Sequence, residues 1–145
     1  MKAYLWTNRF MKTWAIMNIL LFCAILWADV IPTLLFYGAP SELMTIWGLT
    51  FLAFLVLGFF VIAGFKAWRW ALILYAVLIF LYAPGALHDV FYYSNNHMRI
   101  YLPAKVNAWV EVITFAWAII CIITWIIEIC RLRCKAKNSF NVAKG

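Results

Sequence analysis

The chain has 145 residues, 68% hydrophobic and only 12% charged, with a formal net charge of +7. A soluble domain is nearer half apolar and a quarter charged. So much apolar surface on one small domain would aggregate in water, which excludes an ordinary soluble protein. The positive charge does not indicate nucleic acid either, because the cations flank apolar runs and form no long basic face.

Lys2, Arg9 and Lys12 precede the first apolar run, as cations do in a signal peptide. The run continues past Ala28 without a small-residue cleavage site, so it reads as a retained first span, residues 13–30. Pro32 lies near its outer end and is expected to stop or kink it. "GAPSELM", residues 38–44, is a short outer turn broken by Gly38 and Pro40. The second span, residues 43–65, carries no charge. "FKAWRW" at 65–70 is then a tight hairpin. Lys66 and Arg69 reach the headgroups there while Trp68 and Trp70 sit at the interface.

The third span covers residues 70–87, with Pro84 and Gly85 expected to close it. Residues 88–104 form an outer loop that reads either as a small hairpin turning at "SNN" or as a short interfacial helix. The fourth span, residues 106–127, has one internal charge, Glu111. The basic tail is expected to fray past Lys137, leaving 1–137 as one domain and 138–145 as a flexible cytoplasmic end. Its cations suit anionic headgroups.

Each run approaches the roughly 20 residues needed to cross ~30 Å of hydrocarbon. Helices are required because the backbone must satisfy its own hydrogen bonds in lipid. The runs lack the alternation of barrel strands. The expected fold is all-α: an antiparallel, integral membrane four-helix bundle. With both termini in the cytoplasm, ten of the twelve cations lie inside, including the anchors Lys66, Arg69, Arg131 and Arg133. Arg99 and Lys105 lie outside, and this asymmetry sets the orientation. A bacterial inner (plasma) membrane is the expected location.

Candidate chemistry gathers in the spans. Asn107, Glu111, Thr114, Ala118, Cys121, Trp125 and Glu128 are spaced four and three apart, forming one face of span four. Such a polar and small face avoids lipid and points into a bundle or toward a partner. In span one, Asn18 and Asp29 are eleven residues apart and nearly in line, and Ala24 and Ala28 suit close packing. Asp29 and Glu111 have similar depths. On neighbouring helices they would share a proton or cation, with His88, Asp89, His97 and Arg99 completing an outer-side site. Alternatively both carboxylates are interfacial and pair with Arg99 or Lys105. Glu128 is expected to pair with Arg131 three residues on.

Other chemistries find little support. Cys23 and Cys121 lie inside spans and Cys130 and Cys134 lie at the inner end, so no cysteine pair faces an oxidising side. Cys130 and Cys134 alone are a weak zinc signal. His88 and Asp89 are adjacent, so their side chains should diverge on regular structure, and with His97 they match no ligand spacing. No histidine lies within a span to hold haem. No phosphate loop or nucleophile motif appears. The sequence names no cofactor.

Three functions follow as expectations. The first is a non-enzymatic accessory, regulatory or immunity-type partner of another membrane component, or a self-associating protein. The second is a small transporter or ion-coupled channel using Asp29 and Glu111. The third is an enzyme acting on lipid or quinone at the outer face through His88, Asp89 and His97.

Overall fold

The structure, a computed structural model, describes residues 3–37, 44–95 and 102–144. Among these the chain is helical apart from Ala3, Tyr4 and residues 66–69, and it contains no strand. The helices are α1 (Leu5–Ile25), a π-helical turn (Leu26–Val30), α2 (Ile31–Tyr37), α3 (Met44–Phe65), α4 (Trp70–Asn95) and α5 (Leu102–Lys144). Leu5–Val30, Trp70–Tyr92 and Leu102–Phe140 are each long and apolar enough to cross a membrane. Their outward side chains are large and apolar, with Phe80 84% exposed. Hydrocarbon, not water, is the solvent that suits such a surface.

Pro32 neither ends nor breaks its helix. The backbone widens one turn earlier, where the Ile31 N–H reaches back to the Leu26 carbonyl. A proline ring collides with the carbonyl four residues before it, here that of Ala28. The π turn sits where that collision must be absorbed, and α2 carries on to Tyr37.

Pro84 and Gly85 do not close the third span. Helix α4 runs through both and ends at Asn95. Both residues are on an exposed side, where bundle packing does not oppose a local bend. The expected loop at 88–104 is therefore helical over residues 88–95 and again from Leu102. Residues 96–101 lie outside the described segments. Helix α5 continues past Lys137 to Lys144, across the stretch where fraying was expected.

Packing follows the order α3, α1, α5, α4, with α1 touching both α3 and α5, and α5 touching α4. Contact between α3 and α4 is slight, although a four-residue turn joins them. The core contains Met11 and Trp14 of α1, Phe60 and Ala63 of α3, Leu72 and Tyr75 of α4, and Ala118 and Cys121 of α5. Tyr75 meets Trp14 and Phe60 edge-on, each at 4.8 Å between ring centroids. That is a favoured geometry for aromatic pairs.

The hairpin at 66–69 has a defined stop. The Trp68 N–H donates to the Ala63 carbonyl (2.8 Å) and the Ala67 N–H to the Gly64 carbonyl (3.2 Å). These are the paired bonds of a Schellman motif, and Ala67 occupies its left-handed position at φ 53. Glycine takes that conformation without a Cβ penalty. Ala67→Gly is expected to stabilise the fold by about 0.5–1 kcal/mol, read as a higher unfolding midpoint in detergent.

The same end of the bundle holds the start of α1. Arg69 places its guanidinium 4.2 Å from the Tyr4 ring centroid and approaches Asn8 Oδ1 at 3.5 Å. Lys66 lies over Trp68 at 5.4 Å, and Trp68 stacks on Trp70. Helix α1 has no capping side chain of its own and no acid in its first turn. Glu128 of α5 fills that place. It accepts from the Trp6 N–H (3.0 Å), the Thr7 N–H (3.2 Å) and the Thr7 hydroxyl (2.5 Å). This corrects the expected pairing with Arg131. Two unpaired helix donors and a buried hydroxyl offer the carboxylate more than one mobile surface cation does.

Candidate functional site

The face of α5 predicted from spacing is the one that turns inward. Thr114, Ala118 and Cys121 are fully buried, and Trp125 packs against the core. Thr114 returns its hydroxyl to the Val110 carbonyl at 2.7 Å, which satisfies it within its own helix. Ala118 and Cys121 join Met11 and Trp14 of α1 in the core. The partner helix this face required is thus supplied by the chain itself.

Asn18 and Tyr75 form a buried polar pair beneath that face. Asn18 donates from Nδ2 to the Trp14 carbonyl (2.8 Å) and accepts at Oδ1 from the Tyr75 hydroxyl (3.2 Å). Burying these groups without partners would cost several kcal/mol in an apolar medium. Tyr75 went unrecognised in the sequence. The available signal was a phenol in the middle of a span, whose hydroxyl must find a partner.

Asp29 does not continue the line of Asn18. Asn18 is fully buried while Asp29 is exposed. The π turn at Leu26–Val30 lies between the two and changes the helical register that the eleven-residue spacing assumed. Ala24 and Ala28 remain buried.

Glu111 of α5 lies within coulombic range of Asp89 on α4 and Asp29 on the π turn. Three helical segments therefore bring acids to one region. Counting 1.5 Å per residue, Asp29 is about 33 Å along its helix from Thr7, and Glu111 about 25 Å from Glu128. The acids thus lie far from the end that holds Lys66 and Arg69. Asn107, one turn before Glu111, has a buried side-chain oxygen with no partner among the described residues.

Glu111 also opens into a cavity of about 480 Å3 lined by all four long helices. Leu21 and Ile25 come from α1, Val56 and Phe60 from α3, Tyr75, Leu78 and Tyr82 from α4, and Phe115 from α5. The size falls within the range of small-molecule sites, which are mostly apolar with a few placed polar groups. Among the lining residues Glu111 is the one carboxylate. A carboxylate in such a place favours a ligand that brings positive charge.

His88 and Asp89 do not diverge as their adjacency implied: Nδ1 and Oδ1 are 3.5 Å apart, on an exposed side of α4. The His88 ring stacks on Tyr92. His97 and Arg99 lie outside the described residues. Among the described residues no group of three histidine, cysteine or acidic side chains is placed to hold a metal. All four cysteines are free thiols, Cys121 buried and Cys23, Cys130 and Cys134 exposed. Arg131 and Arg133 stand exposed on the distal part of α5. Comparison with family models, curated proteins and solved structures finds no match.

Proposed function

We propose that the chain is a small, non-enzymatic, ion-coupled membrane transporter whose substrate site is the Glu111 cavity, with Asp29 and Asp89 shaping its field. One observation carries this reading: a carboxylate on a helix long and apolar enough to cross a membrane opens into an apolar cavity, near two other acids. A carboxylate facing apolar walls is costly without a counter-charge, so a proton or cation is the natural occupant of the Glu111 cavity.

The proposed topology has α3 as the fourth crossing, an antiparallel bundle, and both termini inside. Support comes from the 22 uncharged residues of α3. It comes also from the contacts that gather Tyr4, Thr7, Arg69 and Glu128 at one end. The cations at that end would face the cytoplasm of a bacterial cell and the acids its outside.

In proteoliposomes under an imposed pH gradient, with the potential clamped, the protein should carry a proton flux. Glu111→Gln is expected to reduce that flux to the rate of protein-free vesicles. Equal flux in both proteins would remove the reading.

A second reading, an accessory subunit, keeps one supporting observation. Residues 131–140 of α5 are exposed throughout and carry Arg131, Arg133, Lys135 and Lys137 without an acid. A companion membrane protein with an acidic surface would complement them. Mild-detergent purification should then yield a stoichiometric companion that is lost when these four cations are replaced by Gln.

A further inference from the structure

The bundle is an incomplete ring. Contacts run α3 to α1 to α5 to α4, and α3 and α4 touch each other only slightly, with Phe60 and Tyr75 meeting across their seam. A second cavity of about 480 Å3 occupies that seam, lined by residues of α3 and α4 alone. Val56, Phe60 and Leu78 line both this cavity and the one holding Glu111. The outer rim of the seam includes Leu55, Leu74 and Val77, which are exposed. Only apolar side chains, Val56, Phe60 and Leu78, therefore stand between the lipid-facing seam and the cavity that holds the carboxylate.

From this we infer that the Glu111 cavity takes a lipophilic organic cation. Its class is an ammonium or phosphonium bearing aromatic or alkyl bulk, and it enters sideways from the acyl-chain region between α3 and α4. The inference rests on the transporter reading for its purpose but on the cavity and seam for its chemistry.

Each feature excludes a different competitor. A neutral acyl chain would fill the apolar walls but leave Glu111 without a counter-charge. A lipophilic anion would meet the field of Glu111, Asp29 and Asp89. A bare inorganic cation would find one carboxylate and too few oxygens to replace its hydration shell. An organic cation satisfies both parts. Its bulk lies against the apolar and aromatic lining, which includes Leu78, Tyr82 and Phe115, and its charge meets Glu111.

The probe for this site is tetraphenylphosphonium, with tetraphenylborate as a control of the same shape and opposite charge. Binding is measured by equilibrium dialysis against the full-length protein in nanodiscs of zwitterionic lipid, with empty nanodiscs subtracted. Saturable binding of the phosphonium, absent for the borate, is expected. Glu111→Gln should weaken it by at least about tenfold. Glu111→Asp, which keeps the charge, should retain most of it and guards against a folding defect in the first variant. Val77→Trp at the rim should slow association, followed by rapid filtration of radiolabelled phosphonium on the same nanodiscs, by about tenfold or more if access is lateral.

Equal uptake of the two probes, or phosphonium binding indifferent to Glu111→Gln, would mean simple partition into the protein–lipid boundary and overturn the inference. So would association unchanged by Val77→Trp, which would remove the lateral route. The two readings fail separately. A Glu111-dependent proton flux without saturable phosphonium binding would sink this inference and leave the transporter standing. Saturable binding without flux would support the site and sink the transporter.

Discussion

Glu128→Ala is expected to cost about 3 kcal/mol of stability, the largest loss from removing any one polar side chain described above. The carboxylate accepts three hydrogen bonds at the start of α1, two from backbone N–H groups and one from the Thr7 hydroxyl. Bonds to a charged group contribute about 1.5–3 kcal/mol each, and they do not add fully. Thr7 is fully buried, so its hydroxyl would be left without a partner. The positive end of the α1 dipole would lose its counter-charge as well. Reversible denaturation in mixed micelles, followed by tryptophan fluorescence, reads the change. Thr7→Val should cost about 1–2 kcal/mol, and the double variant should show coupling of about 1 kcal/mol or more. Arg131→Ala should stay within about 0.5 kcal/mol, since Arg131 is exposed and the Glu128 contacts run to α1. A loss for Arg131→Ala matching that for Glu128→Ala would restore the helix-end ion pair and remove the capping account.

Glu128 also shows where sequence reasoning reaches its limit. Spacing within one helix placed it on the right face of α5 but could offer only local partners, such as Arg131. Its actual partners are more than 120 positions away in the chain. The inward face from Thr114 to Trp125 was legible because helical periodicity and the cost of polar groups in lipid agree on it. The three long apolar helices were legible from hydropathy and length alone. Pro84 misled because proline rules come from water-exposed helices, whereas helices in lipid tolerate proline when neighbouring groups adjust. Pro32 misled in a subtler way: the helix continues past it, with a π turn just before it that changes the register between Asn18 and Asp29. The cavity was hidden for another reason. It is built from apolar side chains on four helices, and no single span marks Phe60, Tyr82 or Phe115 as different from its neighbours. Only the weak α3–α4 seam, a property of the assembled bundle, makes them a lining.

The second large effect is steric and lies where α1 crosses α3. A Cβ added at Gly64 would stand 2.7 Å from Ala15 Cβ and 2.9 Å from the Met11 carbonyl oxygen. Neither neighbour is the end of a flexible side chain, so one helix must move. Helix propensity alone favours alanine over glycine by roughly 1 kcal/mol. Overpacking at a closed crossing costs about 1–3 kcal/mol, and more for a larger side chain. Packing should win, so Gly64→Ala is expected to destabilise by about 1–2 kcal/mol and Gly64→Leu to prevent recovery of folded protein. Gly58 supplies the control on the same helix, because a Cβ there meets nothing within 4 Å. Gly58→Ala should be neutral or stabilising by up to about 1 kcal/mol. Adding Ala15→Gly to Gly64→Ala removes the Cβ–Cβ clash but leaves the Met11 carbonyl in place, so rescue should be partial. Micelle unfolding midpoints for these variants separate the two contributions. If Gly64→Ala and Gly58→Ala shifted stability equally upward, propensity would govern both sites and the close approach of α1 to α3 would be wrong. That approach also holds Trp14 against Phe60 at 5.8 Å, beside the cavity floor formed by Phe60 and Tyr75. Gly64→Ala should therefore weaken ligand binding at the Glu111 cavity, although position 64 is not among its lining residues.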